Sequence, residues 1–173
     1  MTSRNLRRRQ AGFTLIELLV VIGILAILLA ITLIAINPNK HFQDTRNAKR
    51  SSDVSAILDS VYEYQSGNAG SLPSNLNGLA ANTAAEICIP AGTPTTACPA
   101  SGTINLCNLT PTYLADLPMD PNSAKGFSNG SSTPCGTGTT DYDTGYTITK
   151  TSSGRFTVSA PNAEGGATIS VTR

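Results

Sequence analysis

Residues 12–21 read Gly-Phe-Thr-Leu-Ile-Glu-Leu-Leu-Val-Val, and they open an apolar run that covers residues 13–36. Because a helix rises about 1.5 Å per residue, a helix of this length spans the ~30 Å hydrocarbon core of a bilayer. The run contains one acid, Glu17, and an unpaired carboxylate there costs about 3 kcal/mol on insertion scales. The run therefore predicts a membrane helix that keeps one charged residue for a purpose.

The residues before the run indicate its orientation. They include the basic residues Arg4, Arg7, Arg8 and Arg9, which hold the N-terminus in the cytoplasm and place the chain after the helix outside. A cut after Gly12 would create an α-amine on Phe13, one helical turn from Glu17, and an ammonium is the natural partner for an intramembrane carboxylate. A secretory signal is a poorer explanation, because its apolar region is shorter and no A-x-A cleavage pattern follows this run. A plain single-pass anchor leaves the acid unexplained.

The string from Gly12 to Leu18 resembles the prepilin signature of type IV pilins and type II secretion pseudopilins. In that family a dedicated peptidase cuts after the glycine and methylates the new N-terminal phenylalanine. The resemblance implies cleavage and N-methylation at Gly12 and Phe13, and an assembly role for Glu17 beside the Phe13 amine of a neighbour. It also implies these partners: other copies of the chain and minor pilins in a helical filament, the prepilin peptidase/N-methyltransferase, an inner-membrane assembly platform, and membrane lipid before assembly.

The charge of the chain argues against a nucleic-acid partner. The net charge is +1, from 12 Lys and Arg against 11 Asp and Glu, and four of the basic residues lie before Gly12. The mature chain therefore has no basic excess, so its charge does not indicate binding to nucleic acid.

The segment after the membrane helix predicts a break followed by an amphipathic helix. Asn37-Pro38 predicts the break, since proline lacks an amide donor and crowds the preceding turn. Residues 44–65 then carry an apolar stripe on a 3.6-residue period, formed by Val54, Ile57, Leu58, Val61 and Tyr62. Four basic residues precede this stripe: Lys40, Arg46, Lys49 and Arg50. They are interpreted as a solvated helix face, on which Lys49 and Asp53 form an ion pair that contributes modestly to stability.

Residues 66–140 are rich in Gly, Pro, Ser, Thr and Asn, which predicts a loop region. It contains four cysteines, Cys88, Cys98, Cys107 and Cys135. They indicate an oxidising compartment, and disulfides are favoured over zinc because no C-x-x-C pair is present. Three connectivities are possible; Cys88–Cys98 with Cys107–Cys135 is preferred, since it closes the shorter loops without crossing.

The last third of the chain predicts strands. Residues 146–150 and 155–160 alternate with period two around a turn that contains Gly154, and residues 167–171 can add a third strand. One buried face would be shared by Tyr146, Ile148, Phe156, Val158, Ile169 and Val171. The predicted fold is α+β and pilin-like: a long N-terminal helix, half transmembrane and half amphipathic, packs on a small C-terminal antiparallel sheet. The predicted segments are a cytoplasmic leader, removed (1–12), a transmembrane and assembly helix (13–36), an amphipathic helix (37–65) and a disulfide-stapled head (66–173).

No catalytic constellation is evident, and an enzyme is not predicted. The single histidine, His41, has no nucleophile placed beside it, and no Gly-x-Ser-x-Gly or metal-binding helix is present. No cofactor is expected. Calcium is a candidate ligand of Asp141 and Asp143, joined by Asp116 or Asp120, and major pseudopilins are similar in carrying a calcium loop before their last strands. Ordinary solvated loop acids are the favoured interpretation.

Two functions follow. The first is a structural subunit that polymerises through its N-terminal helix, after cleavage, into a type IV pilus or a pseudopilus-like filament serving adhesion, motility, DNA uptake or secretion. The second is a membrane-tethered extracellular binding module that does not polymerise. Both predict a single-pass inner-membrane protein with its N-terminus in the cytoplasm and its head outside, and the first adds a filament on the cell surface or in the periplasm.

Overall fold

The computed structural model describes residues 12–73, 76–89, 102–122, 124, 126–129, 135 and 141–173, without the side chains of residues 35, 36, 89, 127–129 and 141. The chain divides into two compact units, residues 1–41 and residues 42–173. The second unit is called the head below.

The first helix, α1, extends over Leu15–Ile36. Its segment Leu15–Ile34 is the one helical stretch, within the described residues, that is long and apolar enough to cross a membrane, and none of it is buried. The helix ends where Asn37 adopts a left-handed conformation with φ of 43°. Pro38 then begins helix α2, Pro38–Gly67, a position where its fixed φ is suitable and its missing amide costs nothing. The predicted break at Asn37-Pro38 is therefore confirmed.

Within the described residues, the sheet of the head has six strands: β1 Ala84–Ile89, β2 Thr103–Ile104, β3 Phe127–Asn129, β4 Asp141–Lys150, β5 Phe156–Ser159 and β6 Ser170–Thr172. The strand order is β2-β1-β4-β5-β6, and β3 also pairs with β4. The predicted hairpin is confirmed, because β4 and β5 pair from Thr147↔Ser159 to Lys150↔Phe156. A third strand is confirmed as β6, which pairs antiparallel with β5, but it begins at Ser170 and not at residue 167 as predicted.

The sheet includes more of the chain than the sequence predicted. Strands β1, β2 and β3 lie inside the range predicted as loops, and β1 pairs along most of β4. The sheet is also mixed, because β2 runs parallel to β1. Pairing with β4 decides the strand conformation of β1, although its flanking residues have turn-like composition, since strand formation depends on cross-strand packing more than on local preference.

The core forms where the apolar stripe of α2 meets one face of this sheet. Val54, Ile57, Leu58 and Val61 are completely buried, and so are Tyr146, Ile148 and Val158 from the sheet, with Phe156 almost so. Tyr62, Ile169 and Val171 pack against the margin of this core. Each fully buried side chain of this kind contributes about 1.5–3 kcal/mol. The predicted stripe is confirmed, and the predicted buried face is confirmed for its residues in β4 and β5, whereas Ile169 and Val171 are only partly buried.

Candidate functional site

Thr14 and Glu17 form a reciprocal cap at the start of α1. The Glu17 backbone N–H donates to Thr14 Oγ1 at 3.3 Å. In return Glu17 Oε2 accepts from the Thr14 backbone N–H and from Thr14 Oγ1, both at 2.8 Å. This capping box gives partners to two backbone N–H groups at the start of the helix, those of Thr14 and Glu17. It also gives the carboxylate two donors from its own chain.

This cap was not among the features predicted from the sequence. The signal was available, because a Ser or Thr three residues before a Glu at the start of an apolar run is the pattern of a capping box. The prediction for Glu17 considered only its charge and a partner on a neighbouring chain. It did not include the Thr14 hydroxyl as a partner.

Gly12 and Phe13 lie exposed before the helix, and 89% of Phe13 is accessible. A Cβ added to Gly12 would meet no atom within 4 Å. The fold therefore places no steric demand for glycine at this position. The roles of Gly12, Phe13 and Glu17 in processing and assembly stay predictions.

The head contains a buried ion pair between Arg50 and Asp120. Arg50 is completely buried; its Nε donates to Asp120 Oδ2 at 2.8 Å and its Nη2 donates to Asp120 Oδ1 at 2.9 Å. Asp120 Oδ1 also accepts from the Asn122 backbone N–H, and the Asp120 backbone N–H donates to the Thr144 carbonyl. The hydrogen bonds to Asp120 raise the pKa of the Arg50 guanidinium. The pair joins α2 to the loop before β3 and, through Thr144, to β4.

Glu164 completes this cluster from the loop between β5 and β6. Its carboxylate accepts from Arg46 Nε at 2.6 Å, Arg46 Nη2 at 2.7 Å and Arg50 Nη1 at 2.9 Å. Asn47 holds the backbone of the same residue, because its Nδ2 donates to the Glu164 carbonyl at 2.9 Å and its Oδ1 accepts from the Glu164 N–H at 3.0 Å. Hydrogen bonds from Arg46, and then from Arg50, lower the pKa of Glu164 from its ordinary 4.5 to about 2.

The interpretation of the basic residues as a solvated helix face is wrong for Arg50 and incomplete for Arg46. Lys40 and Lys49 are exposed as predicted, and the predicted Lys49–Asp53 pair is confirmed at 2.7 Å. Arg50 can be buried because two carboxylates from distant parts of the chain bind it. Asp53, the partner of Lys49, also accepts a hydrogen bond from the Tyr146 hydroxyl at 2.8 Å. Charge alone could not distinguish the buried guanidinium from its exposed neighbours.

The calcium candidates are only partly described. Asp143 is buried, its Oδ1 accepts from the Gly145 N–H at 2.8 Å, and burial raises its pKa. Asp120 directs both oxygens at Arg50, and Asp116 Oδ1 accepts from the Leu117 N–H. The side chain of Asp141 lies outside the described part of the chain. No cluster of three metal-binding side chains occurs within the residues described, and calcium binding stays a prediction.

One predicted disulfide is present. Cys107 and Cys135 are joined, and the bond ties the short 3₁₀ helix Cys107–Leu109 to residue 135. Cys88 is also disulfide-bonded. Its predicted partner, Cys98, lies outside the described residues, so this pairing stays a prediction.

Comparison with known proteins identifies the N-terminal segment. Residues 7–33 match the family model described as the prokaryotic N-terminal methylation motif, which is the signature of type IV pilins and pseudopilins. The matched residues include Gly12, Phe13 and Glu17. No curated protein and no solved structure matches the chain significantly.

Proposed function

We propose that this chain, which carries the type IV pilin and pseudopilin signature, is the precursor of a structural subunit that polymerises through α1 into a pilus or pseudopilus-like filament. One observation carries the proposal: the methylation motif at residues 7–33 coincides with an apolar helix that is entirely exposed and has a single acid in its first turn. The motif indicates a structural subunit rather than an enzyme.

The exposure of α1 requires an apolar environment. Its large apolar side chains are more than half accessible throughout, from Leu15 at 84% to Ile34 at 84%. An apolar surface of this extent on a monomer marks a membrane or protein interaction site. Lipid would cover it before assembly, and the helices of other copies would cover it afterwards. The chain would therefore pass from the inner membrane, with its N-terminus in the cytoplasm and its head outside, into a filament.

The geometry of Glu17 suits a bond to a neighbour. Both hydrogen bonds from Thr14 end on Oε2, and Oε1 accepts none from the described residues. Cleavage after Gly12 would turn the Phe13 nitrogen into an ammonium, and a charge-assisted bond to a carboxylate is roughly twice as strong as a neutral one. The ammonium of one chain would pair with Oε1 of the next, while Thr14 continues to hold Oε2. Prepilin peptidase, an assembly platform and minor pilins are the partners that such a pathway requires.

Processing is tested with Gly12→Leu. The fold tolerates a side chain at this position, so loss of cleavage would report on the peptidase alone. Gly23→Leu is the matched control, because Gly23 also has open space around it and lies beyond the cleavage site. Mass spectrometry should find N-methylated Phe13 as the first residue of wild type and of Gly23→Leu, with uncut Gly12→Leu in the inner membrane. An intact leader on wild-type protein that is confined to membranes would favour the tethered binding module.

Pairing is tested with Glu17→Leu and Thr14→Val. Glu17→Leu removes an expensive intramembrane charge, so membrane insertion should be at least as efficient as in wild type. Filaments sheared from the cells and counted by electron microscopy should nevertheless be strongly reduced. Thr14→Val should have an intermediate effect, because it removes one donor of the cap, and Thr14→Ser should restore assembly. Wild-type numbers of filaments from Glu17→Leu would exclude the pairing.

A further inference from the structure

Residues 161–166, here called the 161–166 strap, connect β5 to β6 and lie against the first turns of α2 in the head. Glu164 is its attachment point. Its carboxylate binds Arg46 and Arg50, and its backbone N–H and carbonyl both bind the side chain of Asn47. Three side chains from little more than one turn of α2 therefore hold a single residue of the strap.

The strap contact differs from the ion pair beneath it in exposure. Arg50 and Asp120 have no exposed side-chain surface, whereas Glu164 and Arg46 are 24% and 34% exposed. Salt screens partly exposed charges effectively and buried charges much less. The Glu164 contact can therefore be weakened by salt, while the Arg50–Asp120 pair keeps its strength.

The other hydrogen bonds of the strap are few and long, and one of them joins the Ala163 N–H to the Ala160 carbonyl at 3.2 Å. Asn162 Nδ2 donates to the Gly145 carbonyl at 3.3 Å, which is long for such a bond. Gly165 and Gly166 have φ of 64° and 75°, and residues 165–168 are exposed. Segments with few buried apolar contacts and exposed backbone open at a lower free energy than core strands. These features separate the strap from the β4–β5 hairpin, whose apolar side chains are buried.

From these contacts we infer that the 161–166 strap is an ionic latch that opens locally while the sheet stays folded, and that ionic strength sets how often it opens. Opening breaks the bonds of Glu164 to Arg46, Arg50 and Asn47. Arg50 keeps its two bonds to Asp120 and the bond from its Nη1 to Asn47 Oδ1 at 3.0 Å, and it loses only the Nη1 bond to Glu164. The Arg46 guanidinium becomes free, so the open head presents on α2 the two guanidinium groups that hold a carboxylate in the closed head.

Amide hydrogen exchange on the full-length protein in detergent tests the latch. At constant pH, exchange is compared at about 0.05 M and about 0.5 M NaCl, where the Debye length falls from above to well below 10 Å. Amides of the strap should exchange on the order of tenfold faster than those of the β4–β5 hairpin, and faster again in high salt. Glu164→Gln should raise strap exchange by about tenfold at low salt and remove most of the salt response.

Two further variants make the outcome decisive. Glu63→Gln changes an exposed acid on the same helix, and it should leave strap exchange and its salt response unchanged. Asp120→Asn weakens the buried pair, and it should raise exchange in the strap and the hairpin together. Strap amides that exchange no faster than hairpin amides, or a salt response that persists undiminished in Glu164→Gln, would overturn the latch.

Discussion

Arg50 and Asp120 face each other in the interior of the head through two parallel N–H···O bonds of 2.8 and 2.9 Å, and neither side chain is exposed. The two residues are 70 positions apart in sequence. A buried pair of this kind gains Coulomb energy in a low dielectric but loses the hydration of both ions. Its net contribution is therefore small compared with the cost of breaking it, because breaking it leaves one charge buried without a partner.

Removal of one partner should therefore be worse than removal of both. Asp120→Ala should lower the free energy of unfolding by about 3–5 kcal/mol, measured by urea unfolding of the full-length protein in detergent. The double variant Arg50→Met/Asp120→Leu should lose less than either of its single variants, because neither charge of the pair is left buried without its partner. Lys40→Ala is the control for an exposed cation and should change the stability by less than about 0.5 kcal/mol. Additive losses in the double variant would contradict this account.

The stability of the head should depend on the protonation of Glu164 in acid. The carboxyl has a pKa near 4.5 when unfolded and about 2 in the fold, because Arg46 and Arg50 bind its ionised form. Its stabilisation is therefore complete above about pH 4.5 and is lost as the pH falls through about 2. Unfolding curves of wild type and Glu164→Gln, measured from pH 7 to pH 2, should converge over this interval. A constant difference between the two curves would show that the charge of Glu164 is not the cause.

Gly126→Ala should destabilise the head, because the added Cβ would crowd the backbone hydrogen bond between Asp120 and Thr144. A Cβ there would lie 2.9 Å from the Asp120 nitrogen and 3.0 Å from the Thr144 carbonyl oxygen, the two atoms of one hydrogen bond. Overpacking of this kind costs about 1–3 kcal/mol. Gly78→Ala is the matched control, because a Cβ at Gly78 meets no atom within 4 Å. Thermal unfolding should show a lower Tm for Gly126→Ala alone, and equal Tm values would mean that the backbone yields at no cost.

The disulfides should stabilise the loops that flank the sheet. The Cys107–Cys135 bond closes a loop with a sequence separation of 28, and a bond of this kind contributes about 2–4 kcal/mol by restricting the unfolded chain. Non-reducing peptide mapping of exported protein should recover Cys107 linked to Cys135 and Cys88 linked to Cys98. Reduction should first increase proteolysis between residues 66 and 140. Four free thiols in exported protein would refute the bonds, and Cys88 linked to Cys107 would refute the pairing.

Local patterns in the sequence were enough to predict the helices and the hairpin. The stripe that contains Val54 and Val61 follows the period of a single helix, and the strands around Gly154 follow the period of a strand pair. Strand β1 was missed because its partner β4 lies more than 50 residues away and its neighbours have loop composition. The methylation motif could be recognised in the sequence because the residues that define it are consecutive.

The ionic cluster could not be predicted in this way. Asp120 and Glu164 reach Arg50 across 70 and 114 positions, and each acid lies in a loop where a solvated carboxylate is the usual expectation. Burial of the guanidinium depends on where the loop before β3, held by Thr144 of β4, and the loop after β5 bring these acids. The burial of Arg50 therefore follows from the tertiary fold, and no single segment of the sequence predicts it.

Three strands of the sheet pair with a single neighbour in the part of the chain that the structure describes, and all are short: β2 has two residues, and β3 and β6 have three each. A sheet edge displays unpaired N–H and C=O groups, and a long edge is a template on which another chain can add a strand. The proposed subunit would be stored densely in a membrane and then stacked in a fibre, where such contacts are frequent. Edges this short would give a neighbouring head little backbone with which to pair, so in the proposed filament copies of the chain would be crowded together through their helices without their sheets pairing into aggregates.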